Sequence, residues 1–437
     1  MSSIQDRKEE AKQFRKAGEY QKALEVYRSL FKETKDQYDA AGFLHCLRKL
    51  GKFDEALPLA ERIAHQYPSF EWGRKEVIWT RIQGLLDKYG EDTPHQQVVE
   101  TAESVMGLIP DWLATKRTVF KVLKSAKINN DWDCINNWIV KIDPDKLSLK
   151  PLEIKDGREG WCDQALWYNY RINGLLKIPD PAAAIKLADM ALIKFSKQWK
   201  FFQRLKALAL WQSGDLTASE RIYADLCKGH KSDWWLLHEY SKLVREIGRK
   251  TDALNLMYRA ATSNSKLDLM VKLFADIGSL CMEIGKHEVS RSHYLLCKFI
   301  REEKGWPVSF DVSSNIETLN RTIETTVPPE NLKRALDMCK AEWKVVLGLH
   351  TDEGNKKFVK RDKRLDLEGK VSLGHEGKPF CFINTRDNVR VYCLKSDLPA
   401  GIKHDDVVLF DALPSYDMKK DQESWKASNV RKYNLEK

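Results

Sequence analysis

Phe274-Ala275-Asp276-Ile277-Gly278-Ser279-Leu280-Cys281-Met282-Glu283-Ile284-Gly285 carries the clearest architectural signature in the chain. Phe274, Ile277 and Cys281 fall on one face at helical spacing, Gly278 leaves room on that face for a second helix, and Gly285 ends the run. Working outward, the same punctuation recurs at Gly18, Gly51, Gly214 and Gly248, with separations of 33 residues in the first pair and 34 and 37 among the last three. Each glycine is followed by an apolar residue, a small residue and a bulky one: Tyr20, Ala23 and Tyr27 after Gly18; Phe53, Ala56 and Ala60 after Gly51; Ala253, Met257 and Ala260 after Gly248. A helix pair that cannot bury its apolar face alone must stack on copies of itself, so a fixed period implies a solenoid of helix hairpins.

The period and the Phe274-x-x-Ile277-Gly278-x-x-Cys281 pattern resemble tetratricopeptide repeats. The 163 residues between Gly51 and Gly214 hold about five periods. Asn130-Asp131-Trp132 followed by Ile135 and Ile139, and Pro179 followed by Ala184, Ala188 and Ala191, read as degenerate members; Thr93 to Asn130 is weaker. The segment from Asp143 to Gly160 interrupts the series, and Pro58, inside a second helix, is expected in its first turn. Most of the thirteen tryptophans before residue 350 are read as fillers between hairpins. Trp234 and Trp235 cannot both face inward, which puts one on a groove or a neighbouring repeat.

After residue 305 the pattern breaks at Trp306-Pro307 and Ser313-Ser314-Asn315, and Pro328-Pro329 opens one more helix to about Val346. Short strands then follow at 370–373, 380–383, 389–392, 406–410 and near 425–430, separated by turn residues. The expected fold is multidomain α + β: an N-terminal all-α helical solenoid followed by a small five-stranded OB-fold barrel. Its divisions are repeats over 1–145 and 146–305, a helical cap over 306–350, a basic linker over 351–368 and the barrel over 369–433.

Gly369-Lys370-Val371, Lys378-Pro379-Phe380-Cys381-Phe382-Ile383, Val389-Arg390-Val391-Tyr392, Val408-x-Phe410 and Ala427-Ser428-Asn429-Val430 come in an order and spacing that resemble a cold-shock domain. Leu373 stands where that family has a tryptophan, Pro379 where it has a glycine, and Arg390 where it has an aromatic, which thins the stacking surface. Strand alternation still puts Phe380 and Phe382 on one face, with Arg390 and Tyr392 together on the next strand. Planar side chains on a barrel face stack bases without regard to sequence. Lys378 and Arg390 would contact phosphate or stack, and His375 and Tyr392 partly replace the missing aromatics.

The 437 residues carry a net charge of +10, which permits an acidic partner without demanding one. Residues 366–437 hold 12 basic and 12 acidic side chains, whereas Lys356, Lys357, Lys360, Arg361, Lys363 and Arg364 put six cations against Asp362 within nine positions. That run is a nucleic-acid contact or a charged linker. Lys116, Arg117, Lys121, Lys124 and Lys127 form a second basic stripe, more economically a solvated helix face.

Nine cysteines without a C-x-x-C pair suit reduced thiols. No signal peptide, spanning segment, H-E-x-x-H, Walker or G-x-S-x-G motif occurs. The expectation is a cytoplasmic, non-enzymatic adaptor without cofactor, metal, membrane or small-molecule substrate. It would hold a protein partner in the repeat groove and single-stranded RNA or DNA on the barrel. The alternative is a protein-only scaffold or regulatory subunit of a nuclease or helicase complex. A repeat solenoid followed by such a barrel is also similar to accessory proteins of bacterial conflict systems, which would imply antiviral defence.

Overall fold

The computed structural model describes residues 3–153, 159–178, 180–228, 232–323, 327–348, 363–374, 379–387, 389–417 and 422–433. The chain divides into two compact units, Met1–Trp343 and Lys344–Lys437.

The first unit is built of helix hairpins: α1 (Ile4–Lys16) with α2 (Tyr20–Thr34), α3 (Gln37–Lys49) with α4 (Phe53–Gln66), and α5 (Glu71–Arg81), extended by a π-helical turn, with α6 (His95–Met106). Next come α7 (Trp112–Ile128) with α8 (Trp132–Ile139), α9 (Asp163–Leu175) with α10 (Pro181–Lys194), and α11 (Trp199–Gln212) with α12 (Leu216–Leu226). The series continues with α13 (Trp234–Glu246) and α14 (Lys250–Thr262), then α15 (Val271–Glu283) and α16 (His287–Glu303), before α17 (Phe310–Thr322) and α18 (Leu332–Val346). The segment expected to interrupt the repeats carries a small antiparallel pair, β1 (Pro151–Glu153) and β2 (Glu159–Cys162).

One hydrogen bond explains the recurring glycines. After Gly18, Gly51, Gly214, Gly248 and Gly285 the next amide donates five residues back, as in Glu19 to Phe14 and Arg249 to Val244, at 2.8–3.1 Å. Each glycine has φ between +70° and +90°, the left-handed value this helix stop requires. Asn130 does the same work in the degenerate hairpin, with φ +56° and Asp131 N–H donating to Ala126, and Gly305 ends α16 the same way. The small-residue positions are equally physical: a Cβ on Gly42 would meet the Tyr27 ring at 2.5 Å, and one on Gly278 the Tyr294 ring at 3.0 Å. Ala23, Ala56, Ala60, Ile135, Ile139, Ala184, Ala188, Ala191, Ala253 and Ala260 are all fully buried, so the degenerate hairpins pack as the regular ones do.

Pro58 corrects its expected place. Helix α4 starts at Phe53, so the proline lies in the second turn, where its missing N–H leaves the Asp54 carbonyl unbonded. Both residues are exposed. All nine cysteines are free thiols. Among the described residues no helix is long and apolar enough to cross a membrane.

The second unit is a closed five-stranded barrel of β3 (Arg364–Ser372), β4 (Phe380–Thr385), β5 (Arg390–Leu394), β6 (Val407–Asp417) and β7 (Gln422–Lys432), ordered β3-β4-β5-β7-β6. Neighbours are antiparallel except β5 and β7, which run parallel. The first strand begins at Arg364, within the stretch read as linker, because its outer end pairs with Ala412 of a β6 that runs well past Phe410. Val371, Cys381, Ile383, Val391, Cys393, Val408, Phe410, Ala412, Trp425 and Ala427 fill the interior. A Cβ on Gly369 would strike Ile383 at 2.7 Å and the Asn384 carbonyl at 2.9 Å, so the glycine lets β3 close against β4. Asn429 turns its backbone to φ +51° and donates to Asp411, holding that carboxyl below its usual range where β7 bulges.

Candidate nucleic-acid interface

Strands β4 and β5 position the aromatic cluster. Their register sets Phe382 opposite Tyr392, Phe380 opposite Leu394 and Asn384 opposite Arg390. Cys381, Ile383, Val391 and Cys393 alternate inward, so Phe380, Phe382, Arg390 and Tyr392 share the outer face. Phe380 and Tyr392 lie 5.5 Å apart between ring centroids with planes 31° from parallel, and Phe382 meets both edge-on at 5.9 and 6.2 Å. The Arg390 guanidinium lies 4.0 Å from the Phe382 ring centroid. All three rings are half-buried and Arg390 is exposed. Beneath them, burial pushes the Cys381 thiol up and the Cys393 thiol to about 12, leaving both as protonated core groups.

The pairing adds two cations that sequence reading missed. Lys426 of β7 lies beside Tyr392 in the parallel pair, and Lys370 of β3 lies opposite Asn384. Trp425 and Ala427 point inward on either side of Lys426, and Val371 follows Lys370 inward, so both lysines face out. Lys370 could have been found from strand alternation. Lys426 required the β5–β7 pairing, which joins residues 34 apart. Among the described residues, Lys370, Arg390 and Lys426 have no carboxylate within ion-pair distance. Three cations around three rings present both charge for phosphate and planes for bases.

The basic run is not brought to this cluster as a whole. Lys356, Lys357, Lys360, Arg361, His375 and Lys378 lie outside the described residues. Lys363 is exposed, and Arg364 stands 4.7 Å over the Trp425 ring and 3.7 Å from Asp387, so it has partners within the barrel. Arg364 precedes Ser372, the residue opposite Phe382, by eight positions, roughly 25 Å of extended strand.

The stripe on α7 is occupied internally. Lys116 pairs with Asp163 at 2.6 Å, Arg117 with Asp87 at 2.7 Å and Lys124 with Glu91 at 3.7 Å, while Lys121 donates to the Tyr89 carbonyl and Lys127 lies over Tyr170. Successive first helices are bridged one repeat apart by Arg204 with Glu239, His238 with Asp276, Trp211 with Glu246, and Arg245 with Glu283. At the start of α11, Trp199 and Phe201 are nearly half exposed. Phe201 meets Trp161 edge-on at 5.3 Å and stacks on Trp235 at 6.5 Å, and Arg204 covers the Trp235 ring. Trp235 is thus the member of the 234–235 pair that faces a neighbouring repeat.

Solved structures similar to this chain include two tetratricopeptide repeat proteins and a quorum sensor. A tetratricopeptide repeat protein from Parabacteroides merdae covers 72% of this chain and 98% of its own, at 13% identity and TM-score 0.33. A thermophilic TPR protein from Thermus thermophilus covers 56% and 100%, at 14% and 0.22. The apo form of the quorum sensor NprR from B. thuringiensis covers 73% and 91%, at 11% and 0.42. No family model matches the chain, and no curated protein does. The helical assignment rests on the chain's own hairpins.

Proposed function

We propose that the chain is a non-enzymatic cytoplasmic adaptor that holds a protein partner on its repeat unit and single-stranded RNA or DNA on its barrel. The observation that carries this reading is the outer face of β4 and β5: Phe380, Phe382 and Tyr392 in mutual contact, with Arg390, Lys426 and Lys370 around them. The strand order, with a meander of three strands closed by a parallel β5–β7 pair, suits an OB-type barrel, in which the second and third strands carry the ligand face. In a cold-shock relative the same strand pair would stack successive bases, each worth about 1–3 kcal/mol. The exposed aromatic patch of Trp199 and Phe201, with Arg204 beside it, has the composition of a protein contact surface. Joining the two parts raises the local concentration of the partner at the nucleic acid. The resemblance to accessory proteins of bacterial conflict systems makes defence the biological setting to test first.

The test is titration of labelled single-stranded oligonucleotides with the full chain at two salt concentrations. Affinity should fall with salt and drop about tenfold or more for Phe380→Ala/Phe382→Ala. An intact chain that binds neither RNA nor DNA at low salt leaves the barrel as a protein-docking module and defeats the proposal.

A further inference from the structure

Far from the barrel in sequence, the helical unit collects three donors of different chemistry. His95 opens α6, Asp131 precedes the first residue of α8, and Cys134 is the third residue of that helix. One ligand atom from each, an imidazole nitrogen, a carboxylate oxygen and a thiol sulfur, lies within 4.8 Å of the other two. His95 Nε2 stands 3.5 Å from Asp131 Oδ2. Donors bound at 2.0–2.3 Å around a tetrahedral ion lie roughly 3.3–3.7 Å from one another, so the imidazole and carboxylate already have the separation of ligands.

A second observation is independent of that clustering. His95 Nε2 is a buried polar atom with no hydrogen-bond partner. The other ring nitrogen, Nδ1, lies 2.9 Å from Ser125 Oγ on α7. In the tautomer whose ring proton goes to Ser125, the Nε2 lone pair faces the carboxylate, and a cation between the two acceptors would satisfy both. Asp131 divides its oxygens accordingly: Oδ1 accepts the Cys134 amide at 2.9 Å, which leaves Oδ2 for a ligand. Cys134 is also the one cysteine of the nine that is not fully buried.

We propose that His95, Asp131 and Cys134 bind one zinc-class divalent cation, with a fourth position open to water. Nitrogen, sulfur and oxygen donors together select a borderline-soft ion over calcium or magnesium. The carboxylate and thiolate neutralise its two charges, and the thiol proton leaves to solvent on binding. The ion would join α6 to α8, with α7 oriented through Ser125, in the stretch where the repeat pattern is weakest.

The full chain, stripped with a chelator and titrated with Co²⁺ alone, tests this. The expected result is one equivalent of tetrahedral Co²⁺ with a thiolate-to-cobalt charge-transfer band, displaced by Zn²⁺. Cys134→Ser should remove the band. His95→Gln should weaken Zn²⁺ binding at least about tenfold in competition with a chromophoric chelator. Helical circular dichroism checks that each variant is folded, and Zn²⁺ should raise the melting temperature of the unmodified chain. Absence of a thiolate band in the unmodified chain, or an equal band in folded Cys134→Ser, overturns the site and leaves an imidazole–carboxylate pair beside a thiol.

Discussion

Acidification should loosen α18 from the end of the repeat unit through a single histidine. His293 is fully buried on α16; its Nδ1 donates to the Val289 carbonyl at 2.7 Å, and its Nε2 accepts from Trp343 Nε1 of α18 at 2.8 Å. The ring stacks on Tyr258 at 6.0 Å, and Trp343 in turn stacks on Phe274 at 5.9 Å. Burial pushes the His293 pKa down from 6.5 to about 4, only partly countered by the Val289 carbonyl and the Glu342 carboxylate. Protonation would set two donors face to face at Nε2 and Nε1. Between the folded and unfolded values the open state binds the extra proton, so stability is level above pH 6.5 and falls as pH drops toward 4. At pH 5 the two values imply about a 30-fold larger opening constant than at pH 7.5, or about 2 kcal/mol. Hydrogen exchange of peptides spanning 287–303 and 332–346, corrected for intrinsic rates, reads this directly. His293→Phe keeps a ring but cannot titrate; it should start less protected, because Trp343 loses its acceptor, and show a flatter pH dependence. Equal pH slopes in the two proteins would show that His293 does not govern the opening.

Other residues give sharper single-site expectations. Glu76 is buried and held below the usual carboxyl range against its own desolvation, by His45 at 2.8 Å and by Arg48 at 2.8 and 2.9 Å. Arg48→Ala leaves Glu76 Oε2 without its arginine and the buried charge with only His45 and Trp72 at Oε1, and should cost about 3 kcal/mol in urea unfolding, whereas the apolar pair Arg48→Met/Glu76→Leu recovers most of the loss. Gly248→Ala and Gly42→Ala should fail for different reasons. The first has open space and φ +90°, so it costs about 1–2 kcal/mol of backbone strain; the second drives a methyl into the buried Tyr27 ring at 2.5 Å, costing about 1–3 kcal/mol. Only Gly42→Ala should be partly rescued by shortening Tyr27 to Val, as judged by thermal midpoints.

Periodicity made the helical unit legible because the turn glycines and the small residues each answer a local demand, positive φ or close helix approach, that one residue type meets best. Asn130 was readable for the same reason, since asparagine tolerates the left-handed turn. Pro58 departs from the first-turn rule at an exposed position of α4, whose exposure only the packing of the hairpins decides. The basic stripe on α7 reads from sequence as a solvated helix face; its pairing with Asp163, Asp87 and Glu91 was not legible because those partners come from other segments of the chain.

The barrel divides along the same line. Alternation within one strand is a property of adjacent residues, so Phe380 with Phe382, and Arg390 with Tyr392, were grouped from sequence alone. Which strand lies beside which depends on closure, and closure is non-local: it brought Lys426 next to Tyr392, drew Arg364 into the first strand and onto Trp425, and turned Asn429 onto Asp411. His95, Asp131 and Cys134 show the same limit, since the stacking of α6 against α7 and α8 places their donor atoms within reach of one another. Sequence by itself determined the repeats, the strands and the aromatic pairs, because those follow from spacing within a helix or strand. Tertiary structure decided which cations are paired, which remain open around the rings, and which distant donors meet, because those depend on packing between segments that no local pattern encodes.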